Sequence, residues 1–268
     1  MRIADLKNRQ SEIRNPKFEI PSAGQRMLIT IDGPAGVGKS TVARHLAKRL
    51  RLLYLDTGAT YRALAYAALL RGIDPHDEGV LVRLARSLRL VLRQSVTGGL
   101  SVRLDGRDVT RKIRTERVTE AAAMVAQHPR VRAELVRLQR RLAAVSSAVI
   151  EGRDTGSVVF PHASHKFFLT AAVPVRARRR QMELQRLQGH APSWTAIARQ
   201  LRQRDRLDRR RKTGPLVRPP HAILVDTSGL TVEKVVQRLL RYLPSSRRTQ
   251  PSCLSVSSLN GGRRAWLG

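Results

Sequence analysis

The stretch that most constrains the fold of this chain is GPAGVGKS, residues 33–40. It matches the phosphate-binding pattern G-x-x-x-x-G-K-[ST] at every fixed position. It follows MLITID (27–32), an apolar and β-branched run typical of a buried strand, and it precedes TVARHLAKRL, whose apolar residues recur at helical spacing. Because a strand, a glycine-rich turn and a helix occur in this order, the sequence predicts the P-loop of a phosphate-binding βαβ unit.

The residue types of this loop suit a nucleoside triphosphate. Glycines let the backbone curl until its N–H groups converge on a β-phosphate at the positive end of the following helix. Lys39 can reach the β- and γ-phosphates, and the Ser40 hydroxyl can coordinate Mg²⁺. The sequence therefore predicts ATP and Mg²⁺ as ligands, and the weaker alternative is a glycine turn beside a surface lysine. The predicted ATP-binding residues are Gly33, Pro34, Ala35, Gly36, Val37, Gly38, Lys39, Ser40 and Thr41.

Four further short apolar runs have the composition of core strands and alternate with helical patterns. Strands that alternate with helices form a parallel sheet covered on both faces. The sequence thus predicts an α/β fold of the P-loop NTPase type, with a five-stranded parallel sheet flanked by helices. The four runs are LLYLD (52–56), SAVIEGRD (147–154), HKFFLT (165–170) and AILVD (222–226).

The segment 89–110 differs from the rest, since two alternating apolar runs flank the pair Gly98 and Gly99. This pattern predicts an antiparallel hairpin inserted into the α/β chain. Helical periodicity returns after the hairpin and again near the end of the chain. The helices predicted there cover residues 118–142, 176–187, 193–211 and 230–243.

The two ends of the chain carry no clear strand or helix pattern. Residues 1–25 are predicted to be an extension with little structure, and Met27 is an alternative start to Met1. Residues 245–268 are rich in Ser, Gly and Arg and are predicted to be a disordered tail. No apolar run approaches the length of a membrane span, and the single cysteine, Cys253, fits a reducing compartment. The sequence therefore predicts a cytoplasmic protein.

The formal net charge of +31 raises the question of a nucleic-acid partner. Only 8 of the 51 basic residues are lysine, and arginine is spread along the whole chain, as a GC-rich coding sequence would produce. Aromatic residues make up 4%, so platforms for base stacking are scarce, and no helix-turn-helix, RNA-recognition or zinc signature occurs. We therefore expect no specific nucleic-acid partner, with an RNA-associated P-loop NTPase as an alternative.

A second cluster of polar residues follows the second predicted strand. LDTGATYRAL (55–64) places Asp56, Thr57, Tyr61 and Arg62 at its carboxyl end. Open α/β sheets bind ligands at this edge. These side chains are therefore candidates for ligand binding beside the P-loop.

Five segments together resemble the successive signatures of bacterial cytidylate kinases, a family of P-loop nucleoside monophosphate kinases. They occur in the family's order and spacing and cover roughly residues 27–243. The resemblance implies a kinase domain over 26–244, with a monophosphate-binding insert at about 74–115 and a helical lid at about 176–211, acting as a monomer. The segments are GPAGVGKS, LDTGATYRA, HPRVR, EGRDTGSVVFP and RDRLDRRR before PL.

The resemblance implies a phosphate site built from three arginines. Arg62, Arg153 and Arg211 match the residues that hold the phosphate of the nucleoside monophosphate in the family. Convergence on one phosphate is reasonable chemistry, since guanidinium forks make short, directional bonds to phosphate oxygens. With Lys39, these three arginines form the predicted catalytic set.

Two other pairs match the residues that read the base and the sugar. Arg132 and Asp154 match the cytosine-reading pair, and a carboxylate beside a guanidinium complements the N4 donor and the N3 and O2 acceptors of that ring. Uracil reverses the polarity at O4 and N3 and would leave buried groups unpaired. Arg204 and Asp208 match the ribose-contacting pair. The predicted substrate-binding residues are Thr57, Tyr61, Arg62, Arg132, Arg153, Asp154, Arg204, Asp208 and Arg211.

The stretch RQRDRLDRRRK (202–212) carries three of these residues on one helical face, at i, i+4 and i+7. The arginines between them fall largely off that face and are predicted to be solvated. A lid is expected to close over the site, since an open site would hydrolyse ATP. Arg176, Arg179 and Arg180 lie in the predicted lid, where they either contact ATP phosphates or form a solvated basic face.

Two positions depart from the family's pattern. A serine that helps hold the base usually precedes HPRVR, and the corresponding residue here is Ala123. The strand motif usually reads D-G-R-D, whereas this chain has Glu151, a longer carboxylate that can still orient Mg²⁺ through water. The resemblance implies ATP-dependent phosphorylation of CMP and dCMP to their diphosphates. A P-loop kinase acting on UMP or another small acceptor is the alternative within the enzymes.

Overall fold

The computed structural model of the protein describes residues 26–94 and 99–244. Its central element is a sheet of five strands, β1 (Leu28–Asp32), β2 (Leu53–Asp56), β6 (Ala148–Glu151), β7 (His165–Thr170) and β8 (Ile223–Asp226). All neighbouring pairs are parallel, and the spatial order is β2-β6-β1-β7-β8. The predicted five-stranded parallel sheet is therefore confirmed, with the strand before GPAGVGKS at its centre.

Some expectations concern residues outside the described ones. These are the extension at 1–25, most of the turn that joins the predicted hairpin (95–98), and the tail at 245–268 with Cys253.

The first two helices follow the first two strands directly, as the apolar spacing predicts. Helix α1 (Lys39–Leu50) buries Val42 and Leu46, and α2 (Thr57–Leu70) buries a run of small residues. Ile29 and Ile31 of β1 are fully buried beneath them. Burying each such aliphatic side chain contributes on the order of 1.5–3 kcal/mol to stability. This free energy holds the helices against the sheet.

The carboxyl ends of the five strands meet at one edge of the sheet. Their last residues are Asp32, Asp56, Glu151, Thr170 and Asp226. Since β2, β6 and β1 are neighbours, three of these acidic residues lie side by side, next to the loop that follows β1. Open α/β sheets bind ligands at this edge.

The insert between α2 and the later strands contains more structure than a hairpin. Strands β3 (Leu90–Gln94) and β4 (Leu100–Leu104) pair antiparallel as predicted, and a two-residue strand, β5 (Arg107–Asp108), pairs with β4. Helix α3 (Glu78–Ser87) precedes them in the segment interpreted only as an insert, and the Asp77 side chain caps it by accepting from the Val80 amide at 2.9 Å. A 3₁₀ turn (Lys112–Arg114) ends the insert.

The segment from Val118 to Leu142, which has a helical pattern in the sequence, forms two helices in the structure. Helix α4 (Glu116–Val125) ends before His128, and α5 (Pro129–Ala143) begins at a proline. Proline suits the first turn of a helix and disfavours helical geometry at the preceding residue, so His128 is extended and the chain changes direction there. The expectation of one continuous helix was wrong for this reason.

The segment 147–154, predicted as a strand, is extended only as far as Glu151. Residues 152–154 form a turn, and a π-helical turn (Thr155–Val159) follows. The chain thus leaves the sheet at the point where Arg153 and Asp154 occur.

Two helices then form a pair after β7, α6 (Val173–Gln188) and α7 (Trp194–Arg210). Their small apolar cluster of Ala177, Leu184, Ile197, Ala198 and Leu201 includes Ala35 of the loop after β1. The last helix is α8 (Val232–Leu240). Among the described residues, no helix is both long and apolar enough to cross a bilayer.

Candidate active site

The loop after β1 has the backbone geometry that phosphate binding requires. Gly36 and Gly38 have φ of +78° and +92°, a left-handed conformation that residues with a Cβ atom rarely adopt. Gly38 is the residue before α1. The amides at the start of α1 therefore lie at the positive end of the helix. Lys39 is buried, and its Nζ donates to the Pro34 carbonyl oxygen at 2.7 Å. Burial, followed by the nearby Arg153 cation, holds the pKa of Lys39 well below its usual value, and an anionic ligand would offset both.

The start of α2 carries the residues predicted from LDTGATYRAL. Asp56 caps the helix by accepting from the Ala59 amide at 3.0 Å, and it also accepts from Arg62 Nη2 at 2.6 Å. The Thr57 hydroxyl donates to the Glu151 carbonyl oxygen at 2.7 Å, which ties α2 to the end of β6. Tyr61 lies further along the helix, with its ring centroid 5.5 Å from the Arg132 guanidinium carbon.

Glu151 is held on two sides at the end of β6. The Tyr54 hydroxyl donates to its Oε1 at 2.6 Å, and the nearby Ser40 side chain favours the charged form of the same carboxylate. Burial and the nearby Asp56 raise the pKa of Glu151. The extra methylene of glutamate is thus used to reach the phenol on the neighbouring strand, while the carboxylate stays beside the loop.

Helix α7 presents the predicted stripe towards the turn after β6. Arg153 Nε donates to Asp208 Oδ2 at 2.9 Å, and Arg211 Nη2 lies 3.7 Å from Asp208 Oδ1. Burial raises the pKa of Asp208, but Arg153, Arg204 and Arg211 outweigh it, so its pKa lies below the usual value. Burial lowers the pKa of Arg204 to about 10, and Arg153 and Arg62 contribute in the same direction. Arg204 therefore lies near enough to Arg153 and Arg62 for their charges to act on it.

Arg132 and Asp154 form a buried ion pair at the other end of this stripe. Arg132 Nη1 also donates to the Ala126 carbonyl oxygen at 3.4 Å, at the end of α4. Burial raises the pKa of Asp154, and Arg132 and then Arg211 oppose the rise. Ala123 is a partly buried residue of α4. The two charges that the sequence assigns to base reading are thus in direct contact.

Several buried guanidinium nitrogens in this cluster have no hydrogen-bond partner among residues 26–94 and 99–244. They are Nε of Arg62, Nε of Arg204, and Nε and Nη2 of Arg211. Buried donors of native proteins are nearly always satisfied by protein, water or ligand. These donors come from the first half of α2, from the C-terminal half of α7 and from the residue that follows α7. They favour an anionic ligand between these elements.

The three arginines of α6 do not behave alike. Arg176 is buried, with Nη1 bonded to the Ala35 carbonyl oxygen at 3.0 Å and Nη2 2.7 Å from Asp205 Oδ2. Arg179 donates to the Thr227 hydroxyl at 3.0 Å, and Arg180 pairs with Glu183 near the surface. A solvated basic face therefore does not describe Arg176, which joins α6, α7 and the loop after β1.

Asp205→Ala is expected to lower the free energy of unfolding by about 3–5 kcal/mol, because Arg176 would remain buried without its partner. Glu183→Ala is the matched control, since it breaks an exposed pair with Arg180 on the same helix pair and is expected to cost less than about 1 kcal/mol. Urea unfolding followed by circular dichroism measures both. Equal midpoints for the two variants would contradict the role given to Asp205.

The sequence left four contributors to this region without a role: Asp32, Tyr54, Asp205 and Thr155. Asp32 accepts from Thr155 and Gly156, and it stands at the carboxyl end of the strand before Gly33, a position that could have signalled it. The partner of Asp205 is 29 residues away in the chain, so no local pattern signals that pair. The exposed Arg206, Arg209 and Arg210 agree with the prediction of solvated charges.

Comparison with known proteins gives a consistent result. The family model for cytidylate kinase matches residues 29–245. A cytidylate kinase of Geobacillus kaustophilus is 47% identical over 219 residues, covering 82% of this chain and 97% of that protein. A cytidylate kinase of Symbiobacterium thermophilum is 44% identical, with 81% and 96% covered. A bifunctional pantoate ligase/cytidylate kinase of a Synechococcus strain is 47% identical over 82% of this chain and 41% of its own length.

Except for Leu28, the matched region contains all of the described strands and helices from β1 to α8, together with the P-loop, the arginine cluster and the Arg132–Asp154 pair. By its sequence over most of its length, this chain belongs to the cytidylate kinase family.

Proposed function

We propose that this protein transfers the γ-phosphoryl group of ATP to CMP and dCMP, giving ADP and the cytidine diphosphates. The observation that carries the proposal is that a buried Arg132–Asp154 pair lies near a cluster of guanidinium groups with unpartnered donors, whose charges also act on Lys39 of the P-loop. The cluster suits a phosphate and the pair suits a cytosine edge, so a single nucleoside monophosphate satisfies both. The name and close identity of the curated relatives support the same substrate.

The proposed acceptor site divides into a phosphate end and a base end. Lys39, Arg153, Arg204 and Arg62 interact through their charges at the phosphate end. Arg132, Asp154 and Tyr61 interact at the base end. The Arg211 cation lies between the two ends and interacts with all three. Asp208 contacts Arg153 and Arg211, and its position between the phosphate and base ends supports a contact with the sugar.

The transfer itself requires positioning and charge neutralisation more than proton transfer. An oxygen of the CMP phosphate forms a bond to the γ-phosphorus, and the bond from that phosphorus to the β–γ bridging oxygen breaks, so that ADP leaves. The acceptor oxygen is already anionic at neutral pH and needs no general base. Lys39 and the loop amides hold the donor, while Arg62, Arg153 and Arg211 hold the acceptor and spread the developing negative charge.

The residues present fit a Mg²⁺ ion that is held mainly by phosphates and water. Among the described residues no group of three His, Cys, Asp or Glu side chains could enclose a metal, as expected for an ion bound chiefly by its nucleotide. Ser40 would supply a direct ligand, and Glu151, whose carboxylate lies near Ser40, would act through water. When bound, Mg²⁺ neutralises charge on the β- and γ-phosphates.

Tyr54→Phe is expected to raise the Mg²⁺ concentration needed for half-maximal rate about tenfold, because Glu151 loses the donor that fixes its Oε1. The KM for CMP is expected to stay within about twofold. Tyr66→Phe is the matched control, since the Tyr66 ring also packs against the core, whereas the donor to Glu151 Oε1 is the Tyr54 hydroxyl. Steady-state rates over a Mg²⁺ titration measure the effect, and an unchanged titration for Tyr54→Phe would contradict the assigned role of the phenol.

Two other proposals concern the state of the protein in the cell. The lone cysteine and the metabolic nature of the reaction support a cytoplasmic location. A complete set of substrate-holding residues within one chain supports a monomer, and light scattering of the purified protein tests it.

The rival functions predict different products. A kinase for UMP or another acceptor would leave the Arg132–Asp154 pair without a matching base edge. An RNA-associated NTPase would release ADP without phosphorylating a monophosphate.

Ion-exchange analysis of products from Mg·ATP and CMP tests the proposal. We expect CDP and ADP in equal amounts, and little ADP when CMP is omitted. ADP release that depends on added RNA, with no CDP formed, would overturn the proposal in favour of the RNA-associated NTPase.

A further inference from the structure

Asp32 is a buried carboxylate at the end of β1 to which neither the P-loop pattern nor the transfer chemistry assigns a task. It is fully buried and lies immediately before Gly33. Its Oδ1 accepts from the Thr155 amide at 2.8 Å and from the Thr155 hydroxyl at 2.7 Å, and its Oδ2 accepts from the Gly156 amide at 2.7 Å. All three donors belong to one short segment on the neighbouring strand connection.

That segment directly follows the two residues that the proposed function places on the acceptor. Arg153 and Asp154 occupy the turn between β6 and the π-helical turn, and Thr155 is the next residue. Close packing around its two glycines already restricts this turn. A Cβ on Gly152 would lie 2.5 Å from Thr155 Cγ2, and one on Gly156 would lie 2.7 Å from Thr30 Oγ1.

The Asp32 carboxylate attracts the nearby Lys39 cation but makes no direct ion pair with it. Within residues 26–94 and 99–244, none of its carboxylate oxygens forms an ion pair with Lys, Arg or His. Burial raises the pKa of Asp32 to about 6, and the bonds from Gly156 and Thr155 oppose the rise. A buried, unpaired carboxylate whose two oxygens both receive bonds from one turn is suited to holding that turn in place.

We propose that Asp32 is a positioning residue for the acceptor nucleotide, which holds the turn at 152–156 against β1 so that Arg153 and Asp154 meet the phosphate and the base in register with the P-loop. The inference rests on the proposed function for the identity of the acceptor. Because Asp32 adjoins Gly33, the same residue joins the donor loop to the acceptor turn across two parallel strands.

Asp32→Asn is the direct test, since an amide keeps the shape of the side chain. Its NH₂ group would face one of the three N–H and O–H donors of Thr155 and Gly156 and could not accept that bond. We expect the KM for CMP to rise at least about tenfold and the ratio of kcat/KM for CMP over UMP to fall by a similar factor. The KM for ATP is expected to stay within about twofold. A merely structural role would lower the melting temperature but leave the CMP to UMP ratio unchanged, and that result would overturn the proposal.

A second pair of variants keeps the test decisive if Asp32→Asn fails to fold. Thr155→Val removes only the bond from the hydroxyl to Asp32 and is expected to raise the KM for CMP about threefold. Thr155→Ser retains the hydroxyl, and its KM for CMP is expected to equal that of the wild-type protein. Unchanged kinetics for Thr155→Val would then overturn the proposal.

Amide hydrogen exchange separates this inference from the proposed function, because it needs no substrate. In Asp32→Asn, or in Thr155→Val where the first variant does not fold, the amides of Thr155 and Gly156 are expected to exchange faster while those of α8 keep their protection. If the wild-type protein does not phosphorylate CMP, the proposed function fails, and unchanged exchange at both amides would independently refute the positioning role.

Discussion

Replacing Arg153 by alanine is expected to lower kcat/KM for CMP by about 10³-fold while the fold remains intact. Arg153 stands at the centre of the phosphate end, where it lies close to Lys39 and Arg204 and donates to Asp208 at 2.9 Å. Its loss would remove both a fork on the acceptor phosphate and positive charge from the transferring group. We therefore expect a lower kcat and a higher KM for CMP, measured by coupled ADP release.

Arg137→Ala is the matched control for Arg153→Ala. Arg137 is an exposed arginine of α5 that pairs with Glu134, and its replacement is expected to leave kcat/KM within about twofold. Circular dichroism of both variants verifies that the fold is retained. Near-normal turnover of a folded Arg153→Ala protein would refute the proposed phosphate cluster.

Lys39→Met is the second change with a large expected effect, about 10²–10³-fold in kcat. The ammonium group is buried against the loop carbonyl of Pro34, and methionine would keep the volume of the side chain but not its charge. Because Lys39 belongs to the donor side, the KM for ATP should rise while the KM for CMP changes little. Initial rates over a grid of ATP and CMP concentrations separate the two constants.

The exposed Lys48 of the same helix supplies the control for Lys39→Met. Lys48→Met removes one charge from α1 without touching the loop, and the rate is expected to be unchanged. A Lys39→Met protein that turned over as fast as Lys48→Met would show that the loop does not act on the transferred phosphate.

The parts of the fold set by local pattern could be predicted from the sequence. The strand, loop and helix at 27–50 and the four later strands follow from apolar runs bounded by turn residues, and the structure confirms them. The break between α4 and α5 was missed although Pro129 signals it. Strand β5 has only two residues and depends on pairing with β4, so no periodicity could reveal it.

The residues that carry family signatures, such as Arg62, Arg132 and Arg153, follow strands of the sheet or lie on helices beside it, and their roles towards a nucleotide stay predictions. What the sequence could not show is the support behind them. The pairing of Arg176 with Asp205 and the bonds from the 155–156 segment to Asp32 depend on tertiary packing between distant segments.

The central claim is that one site accepts cytidine and deoxycytidine monophosphates and rejects the monophosphates of uridine, adenosine and guanosine. The most direct measurement is kcat/KM for CMP, dCMP, UMP, AMP and GMP under the same ATP and Mg²⁺ concentrations, by coupled ADP release. We predict that CMP and dCMP exceed the other three by at least about 10²-fold, because each of the others leaves Arg132 or Asp154 without its partner on the base. Comparable values for CMP and UMP, or a preference for AMP or GMP, would contradict the account.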